Sequence, residues 1–147
     1  LNNMLNNRQD HPWLTLFFLD LDGFKILNDN YDHGFGDIVL KAVADVIRDS
    51  FEPGDFAARL AGDEFTILFS RSERPKDAAM LICQRLFDTL ASLHQLCNIP
   101  VKLSFSIGIC IERNIQGLSA EHMLTCADQA MYKSKLKGKG TFTIESD

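Results

Sequence analysis

The sequence has few cysteines, and their spacing is not that of a local metal-binding motif. The 147 residues include four cysteines, with no Cys-x-x-Cys pair and no adjacent histidine. This spacing suits neither a zinc site nor a dense disulfide framework, and it favours a reducing compartment. The four are Cys83, Cys97, Cys110 and Cys126.

The chain also lacks a long hydrophobic run and an excess of positive charge. No apolar segment approaches the roughly 18–20 residues that cross a membrane, and we recognise no signal peptide. There are 15 Lys and Arg against 20 Asp and Glu, a net charge of −5. Nucleic-acid polymers are bound by clustered cationic side chains, so we expect no such partner. A nucleotide is compatible with this charge if a divalent metal offsets it.

A chain of 147 residues suits a single domain. The first residue is Leu1 rather than methionine. We therefore expect residues 1–147 to be one domain, truncated at its N-terminus, of a longer protein. We expect this domain to be cytoplasmic, and the sequence leaves open whether the longer protein is anchored in a membrane.

Hydrophobic patterning predicts the order βααββαβαβ, which indicates an α+β domain with helices packed against a largely antiparallel sheet. The run LTLFFLDL at 14–21 is nearly continuous, as in a central strand covered on both faces. The glycines at 34 and 36 indicate a break before a longer helix. Further strands are predicted at 56–60, 65–69, 101–112 and 141–145, and further helices after 24, from 75 and from Ser119, with the end of a truncated helix at 1–5.

Acidic side chains occupy the end of one predicted strand and the tip of a predicted hairpin. Asp20 follows apolar residues, and Asp63 and Glu64 lie in the predicted turn 61–64. If the two strands are neighbours, these carboxylates converge, and they then repel one another unless a cation lies between them. Hard oxygen ligands of this kind select Mg²⁺ or Mn²⁺. Taken singly, each acid fits a solvated turn residue better than a metal ligand.

Five segments, in family order and with family-like spacing, resemble the motifs of GGDEF domains. They extend over nearly the whole chain, so the protein is identified as a member of that family. The segments are DLDGFKILND at 20–29, which resembles DxDxFKxxND; DHGFGDIVL at 32–40, which resembles GHxxGDxxL; RLAGDEF at 59–65, which resembles RxGGDEF; SIG at 106–108; and ADQAMYKSK at 127–135, which resembles ADxAMYxAK.

The resemblance implies a fold and an activity. The fold is a ferredoxin-like α+β core of the kind shared by nucleotidyl cyclases and polymerase palm domains. The activity is that of a diguanylate cyclase, which condenses two GTP molecules into cyclic di-GMP and two pyrophosphates. One chain holds one GTP, so a transient homodimer is expected, with a sensor or phosphodiesterase domain elsewhere in the longer protein.

The resemblance also implies the metal ligands. These are the carboxylates of Asp20 and Asp63 and the backbone carbonyl of Leu21, and the metal is Mg²⁺ or Mn²⁺. Asp63 is further implied to activate the attacking 3′-hydroxyl, and Glu64 supports the same site.

Other matching positions are implied to bind GTP. Asn28 and Asp37 match guanine-reading positions, since an amide donates and accepts and a carboxylate accepts from the guanine N–H groups. His33 lies beside them. The remaining positions are the phosphate contacts Lys25, which we count as catalytic, Lys135 and Lys139, together with Gly62, whose missing side chain lets a phosphate approach the hairpin. Without the resemblance, the lysines at 133–139 fit a solvated basic tail.

The sequence departs from the family pattern at a few positions. Ala61 replaces the first glycine of the naming motif, Lys139 replaces an arginine, and Glu52 stands where product-inhibited relatives carry the arginine of RxxD. These departures leave a second hypothesis open, in which the domain binds GTP and regulates a partner such as a phosphodiesterase domain. A third hypothesis is a nucleotide cyclase that makes cyclic GMP from a single GTP.

Overall fold

The computed structural model describes residues 13–31, 33–70, 73–113 and 116–146, without the side chain of His33. The predicted order of elements is confirmed within these ranges, and the helix predicted at 1–5 lies outside them. The strands are β1 (Trp13–Asp22), β2 (Phe56–Ala61), β3 (Glu64–Phe69), β4 (Ser104–Arg113) and β5 (Phe142–Ser146), and the helices are α1 (Phe24–Asn30), α2 (His33–Ser50), α3 (Pro75–Cys97) and α4 (Ala120–Leu136).

The strands form one sheet with the order β2-β3-β1-β4-β5. The β2–β3, β3–β1 and β1–β4 pairs are antiparallel, and the β4–β5 pair is parallel. The predicted α+β class with a largely antiparallel sheet is therefore confirmed. None of the helices in the described part of the chain has the length and apolar character needed to cross a membrane.

Helices cover both faces of the sheet. Because successive side chains of a strand point to opposite faces, odd and even positions pack against different helices. In β1, Phe17, Leu19 and Leu21 belong to the core that includes residues of α1, α2 and α3. The even-numbered residues Leu14, Leu16 and Phe18 pack instead with Met123, Ala127 and Met131 of α4. Asp20 and Asp22 continue the even series, so they lie on the α4 side.

The predicted break at the glycines 34 and 36 is wrong, because α2 begins at His33 and includes both. A Cβ added at Gly36 would lie 2.5 Å from Oδ1 of Asn28, so this glycine allows α2 to approach α1 closely. The cost of roughly 1 kcal/mol for a glycine inside a helix is small beside the burial of the apolar face of α2.

Two other boundaries have local causes. The strand predicted at 101–112 begins only at Ser104, because the backbone N–H of Leu103 donates to Nε2 of His94 (2.8 Å) rather than to a strand partner. The predicted cap of the last helix is confirmed, since Oγ of Ser119 accepts a hydrogen bond from the backbone N–H of His122 (3.3 Å).

Candidate active site

The carboxylates of Asp20 and Asp22 are buried at the end of β1, with 12% and 5% of their side-chain surface exposed. Asp22 accepts hydrogen bonds from Oγ of Ser104 (3.0 Å) and Oγ of Ser106 (2.6 Å), and its Oδ2 lies 3.4 Å from the backbone nitrogen of Gly140. In contrast, Oδ1 of Asp20 has no hydrogen-bond donor among the described residues. Asp22 is thus held in place by its neighbours, whereas Asp20 keeps one oxygen available to a ligand.

The β2–β3 hairpin brings two further acids to Asp20. Glu64 is the partner of Asp20 in the β1–β3 register, and the backbone N–H of Leu21 donates to the carbonyl oxygen of Asp63 (3.0 Å). The turn between the strands is Gly62-Asp63, and Nε of Arg59 donates to the carbonyl oxygen of Gly62 (3.0 Å). The structure therefore brings the three acids together, as the strand pattern predicts.

Proximity and burial perturb these acids. Burial raises the pKa of the Asp63 carboxyl, and the negative charge of Asp20 raises it further. Burial likewise raises the pKa of Glu64, with smaller contributions from the charges of Asp20, Asp63 and Asp128. A cluster that resists ionisation in this way favours the binding of a cation.

Lys135 meets the same acids from the last turn of α4. Its ammonium forms an ion pair with Asp20 and lies 3.5 Å from Oδ1 of Asp22. Partial burial alone would lower the pKa of Lys135, but the hydrogen bond and charge of Asp20, followed by the charge of Asp22, raise it. The sequence predicts Lys135 at a phosphate, and the structure places it on the acids, where a divalent cation would compete with it.

The residues predicted to read guanine lie on α1 and α2. Asn28 is half-buried on α1, where its amide oxygen faces Gly36, and Asp37 is exposed on α2. Asp37 lines a cavity of about 340 Å³ together with Arg59 and Phe65 of the hairpin. These two helices therefore carry polar groups beside the hairpin that holds Asp63.

The other predicted phosphate contacts are on the surface. Lys25 is exposed on α1, and Lys139 is exposed in the segment after α4. Lys139 has a φ of 67°, and its backbone N–H donates to the carbonyl oxygen of Ser134 (3.1 Å). Gly62 is exposed at the hairpin turn, and a Cβ added there would meet none of the described residues within 4 Å. The backbone of the hairpin is therefore open to a ligand.

Ala61 is not strained by replacing a glycine. Among the described non-glycine residues, only Asn98 and Lys139 have a positive φ, so the backbone at Ala61 suits an ordinary L-residue. The methyl group is exposed at the end of β2.

Sequence reasoning missed the residues that support the site. Ser104 and Ser106 alternate along β4 and reach Asp22 across the strand pair, and Arg59 braces the hairpin turn. The sequence signal for the two serines is the alternation of small polar residues along β4, the strand that pairs with β1. Two histidines also have partners that the sequence does not indicate: Nε2 of His94 accepts from the backbone N–H of Leu103, and Nε2 of His122 lies 3.3 Å from a Glu112 oxygen.

A mostly antiparallel sheet, whose central strand ends in buried carboxylates beside a hairpin with two more, defines an α+β domain of the nucleotidyl-cyclase type. Residues 1–141 match the family model for "Diguanylate cyclase, GGDEF domain". The chain belongs to the GGDEF family.

Individual relatives agree with this assignment. The chain is 37% identical over 134 residues to the bifunctional diguanylate cyclase/cyclic di-GMP phosphodiesterase MucR of Pseudomonas aeruginosa, with coverage of 91% of this chain and 19% of MucR. It is 35% identical over 134 residues to the diguanylate cyclase DgcS of Shewanella oneidensis, with coverage of 89% and 42%. The crystal structure of the GGDEF domain of YfiN (TpbB) from Pseudomonas aeruginosa matches with a TM-score of 0.76 and 30% identity, covering 98% of this chain and 89% of that one.

The chain spans 19% of the length of MucR and 42% of that of DgcS. The similarity to these relatives therefore concerns one domain of each.

Proposed function

We propose that this domain is an active diguanylate cyclase that condenses two GTP molecules into cyclic di-GMP and two pyrophosphates. The observation that carries the proposal is the buried Oδ1 of Asp20, which has no hydrogen-bond donor within the described part of the chain, while Asp63 and Glu64 lie beside this carboxylate. A protein that needed Asp20 only for stability would supply donors to both of its carboxylate oxygens, as it does for Asp22, whereas over the described ranges Asp20 is paired only through Oδ2, with Lys135.

The donor set fits a hard divalent cation, Mg²⁺ or Mn²⁺. The carboxylates of Asp20 and Asp63 would hold it, together with the backbone carbonyl of Leu21 that the family resemblance implies. When bound, the cation supplies charge stabilisation for the triphosphate and its leaving group. Competition with the ammonium of Lys135 would free that side chain to contact a phosphate.

The other roles in the reaction belong to side chains of the protein. Asp63 would accept the proton of the attacking 3′-hydroxyl as the general base, which is the role that the family resemblance implies. A bond forms between the 3′-oxygen and the α-phosphorus, and the bond from that phosphorus to pyrophosphate breaks. Asn28 and Asp37, with His33 beside them, would hold guanine, and Lys25 and Lys139 would neutralise phosphate charge.

Two copies of the chain are needed because one set of these residues holds one GTP, whereas the product contains two. The two chains would face each other across a two-fold axis, so that each GTP supplies both a nucleophile and an α-phosphate. We propose that this dimer is transient and bridged by substrate.

The test is to incubate the domain with Mg²⁺ and GTP and to identify the products by chromatography and mass spectrometry. Asp63→Asn should lower turnover by orders of magnitude, while Asp77→Asn, a matched change at an exposed position in the first turn of α3, should not. Near-normal turnover of Asp63→Asn would overturn the assignment, and cyclic GMP as the product would support the cyclase that uses a single GTP.

A second candidate is a GTP-binding regulatory module for a partner such as a phosphodiesterase domain. The observation in its favour is the Lys135 ammonium, which is bound to the carboxylate that the metal requires. GTP that binds but is not converted, under conditions where a dimerised form of the domain is assayed, would support this candidate.

A further inference from the structure

A second polar cluster lies under α4, at the opposite end of the sheet face that carries Asp20. The even-numbered residues of β4 face this helix, and the series that begins with Ser104 and Ser106 ends with Cys110 and Glu112. Ser106 is the β1–β4 partner of Asp20, whereas Cys110 is the partner of Leu16. Four residues of strand separate the two clusters by roughly 13 Å.

Helix α4 supplies two more side chains to this cluster. His122 and Cys126 are four residues apart, so they share one face of the helix. Helix α4 lies close to β4, because a Cβ added at Gly108 would lie 2.8 Å from Cα of Met131 and would also clash with the carbonyl oxygen of Ala127. The close approach sets His122 and Cys126 over the end of β4.

Three atoms of the cluster already lie close enough to share one metal ion, and His122 contacts one of them. Sγ of Cys110, Sγ of Cys126 and a carboxylate oxygen of Glu112 all lie within 4.8 Å of one another. Sγ of Cys110 is 3.8 Å from Oε1 of Glu112, and Nε2 of His122 is 3.3 Å from the same oxygen. A tetrahedral zinc ion, with bonds of about 2.0–2.3 Å, separates its ligand atoms by about 3.3–3.8 Å.

We propose that Cys110, Glu112 and Cys126 form a site for a thiophilic divalent metal, Zn²⁺ foremost, and that the exposed ring of His122 turns from Glu112 toward the ion as the fourth ligand. Two sulfurs and an imidazole favour zinc over magnesium, so this site and the oxygen site at Asp20 select different metals. Cys110 is buried and Cys126 is half-buried, while the His122 ring is 63% exposed and gives the ion a route from solvent. The bound ion would tie the first half of α4 to β4.

The surroundings of the two thiols set the pH dependence of such a site. Burial raises the pKa of both thiols, so a divalent cation has to displace their protons, and its affinity should increase as the pH rises. The charges that act on Cys126 are those of Glu112, Glu145 and Lys133. Lys133 and Glu145 form an ion pair with each other, so they largely cancel near the site.

The test is titration of the reduced full chain with Co²⁺ as a spectroscopic probe, in the presence of excess Mg²⁺ to occupy oxygen sites. We expect a thiolate-to-cobalt charge-transfer band that saturates at one Co²⁺ per chain and is removed by one equivalent of Zn²⁺. His122→Ala, at an exposed position, should weaken binding by at least about tenfold. Cys126→Ser should lose about half the charge-transfer intensity because one thiolate remains. Cys97→Ser, at the exposed end of α3, should bind like the parent.

A second readout is thermal unfolding. Zn²⁺ should raise the Tm of the parent and of Cys97→Ser, and it should raise that of Cys126→Ser and His122→Ala much less. The proposal is overturned if Co²⁺ gives no charge-transfer band with both thiols reduced. It is also overturned if Cys97→Ser abolishes the band, or if Cys110 and Cys126 form a disulfide that persists in reducing buffer.

Discussion

Replacing Gly36 with alanine tests how the side chain predicted to read guanine is held. The new Cβ would lie 2.5 Å from Oδ1 of Asn28, which is too close for any carbon–oxygen contact. The clash falls on the end of a flexible side chain, so the Asn28 amide rotates away while α1 and α2 keep their positions. Alanine also suits a helix better than glycine, by roughly 0.5–1 kcal/mol. The Gly36→Ala variant should therefore be as stable as the parent protein, while the Asn28 amide moves away from its original position.

The expected loss in GTP binding follows from the hydrogen bonds of one amide. Leaving such a group without its partners costs about 1–3 kcal/mol, which corresponds to roughly 5- to 150-fold weaker binding. Calorimetric titration with a non-hydrolysable GTP analogue and Mg²⁺ measures this loss, and a thermal melt checks the fold. Gly54→Ala is the matched control, because a Cβ there meets no atom of the residues that the structure describes within 4 Å.

Two further results test whether Asn28 contacts the guanine base. In the double variant with Asn28→Ala, Gly36→Ala should cause little additional loss, because both changes remove the same interaction. Unchanged analogue affinity in Gly36→Ala, with a normal melt, would show that Asn28 does not contact the base.

The remaining predictions concern stability and regulation. Gly108→Ala should lower the Tm by about 6–12 °C, for a cost of roughly 3 kcal/mol, because the Cβ meets the backbone of α4; a change under about 2 °C would contradict this. Asp63→Asn should raise the Tm of the metal-free domain by about 1–4 °C, since it removes repulsion worth roughly 0.5–1 kcal/mol. Burial, and after it the charge of Asp20, raises the pKa of Asp63 in the folded state above its ordinary value of 3.8. The gain in Tm should therefore be absent below the unfolded-state pKa and develop as the pH rises through the folded-state pKa. A gain in Tm that persists in acid would refute this electrostatic cause. With Glu52 in place of an arginine, cyclic di-GMP should bind weakly at the turn 52–55, and tight calorimetric binding that is lost on mutation of Glu52 would contradict this.

The main features of the fold were predictable because they depend on local patterning. The alternation and length of the apolar runs determine the element order, and the neighbouring position of β1 and β3 then brings Asp63 to Asp20. The glycines at 34 and 36 were misread as a break because glycine disfavours a helix, whereas both lie inside α2 and Gly36 allows close packing against Asn28.

Features that depend on distant pairing could not be predicted from the sequence. Ser106 reaches Asp22 only because β4 pairs with β1 in one particular register. The cysteines at 110 and 126 fit no zinc motif, because such motifs describe ligands close together along the chain. Here two of the four candidate ligands lie on a strand and two on the helix that crosses it.

The central claim is that two chains, each holding one GTP, together make cyclic di-GMP. The most direct measurement is the rate of cyclic di-GMP formation per chain over a hundredfold range of protein concentration, with light scattering on the same samples. We expect activity per chain to rise with protein concentration, and fusion to a dimerising coiled coil to raise it further. Activity per chain that stays constant across the dilution, while the protein remains monomeric, would contradict the two-chain mechanism.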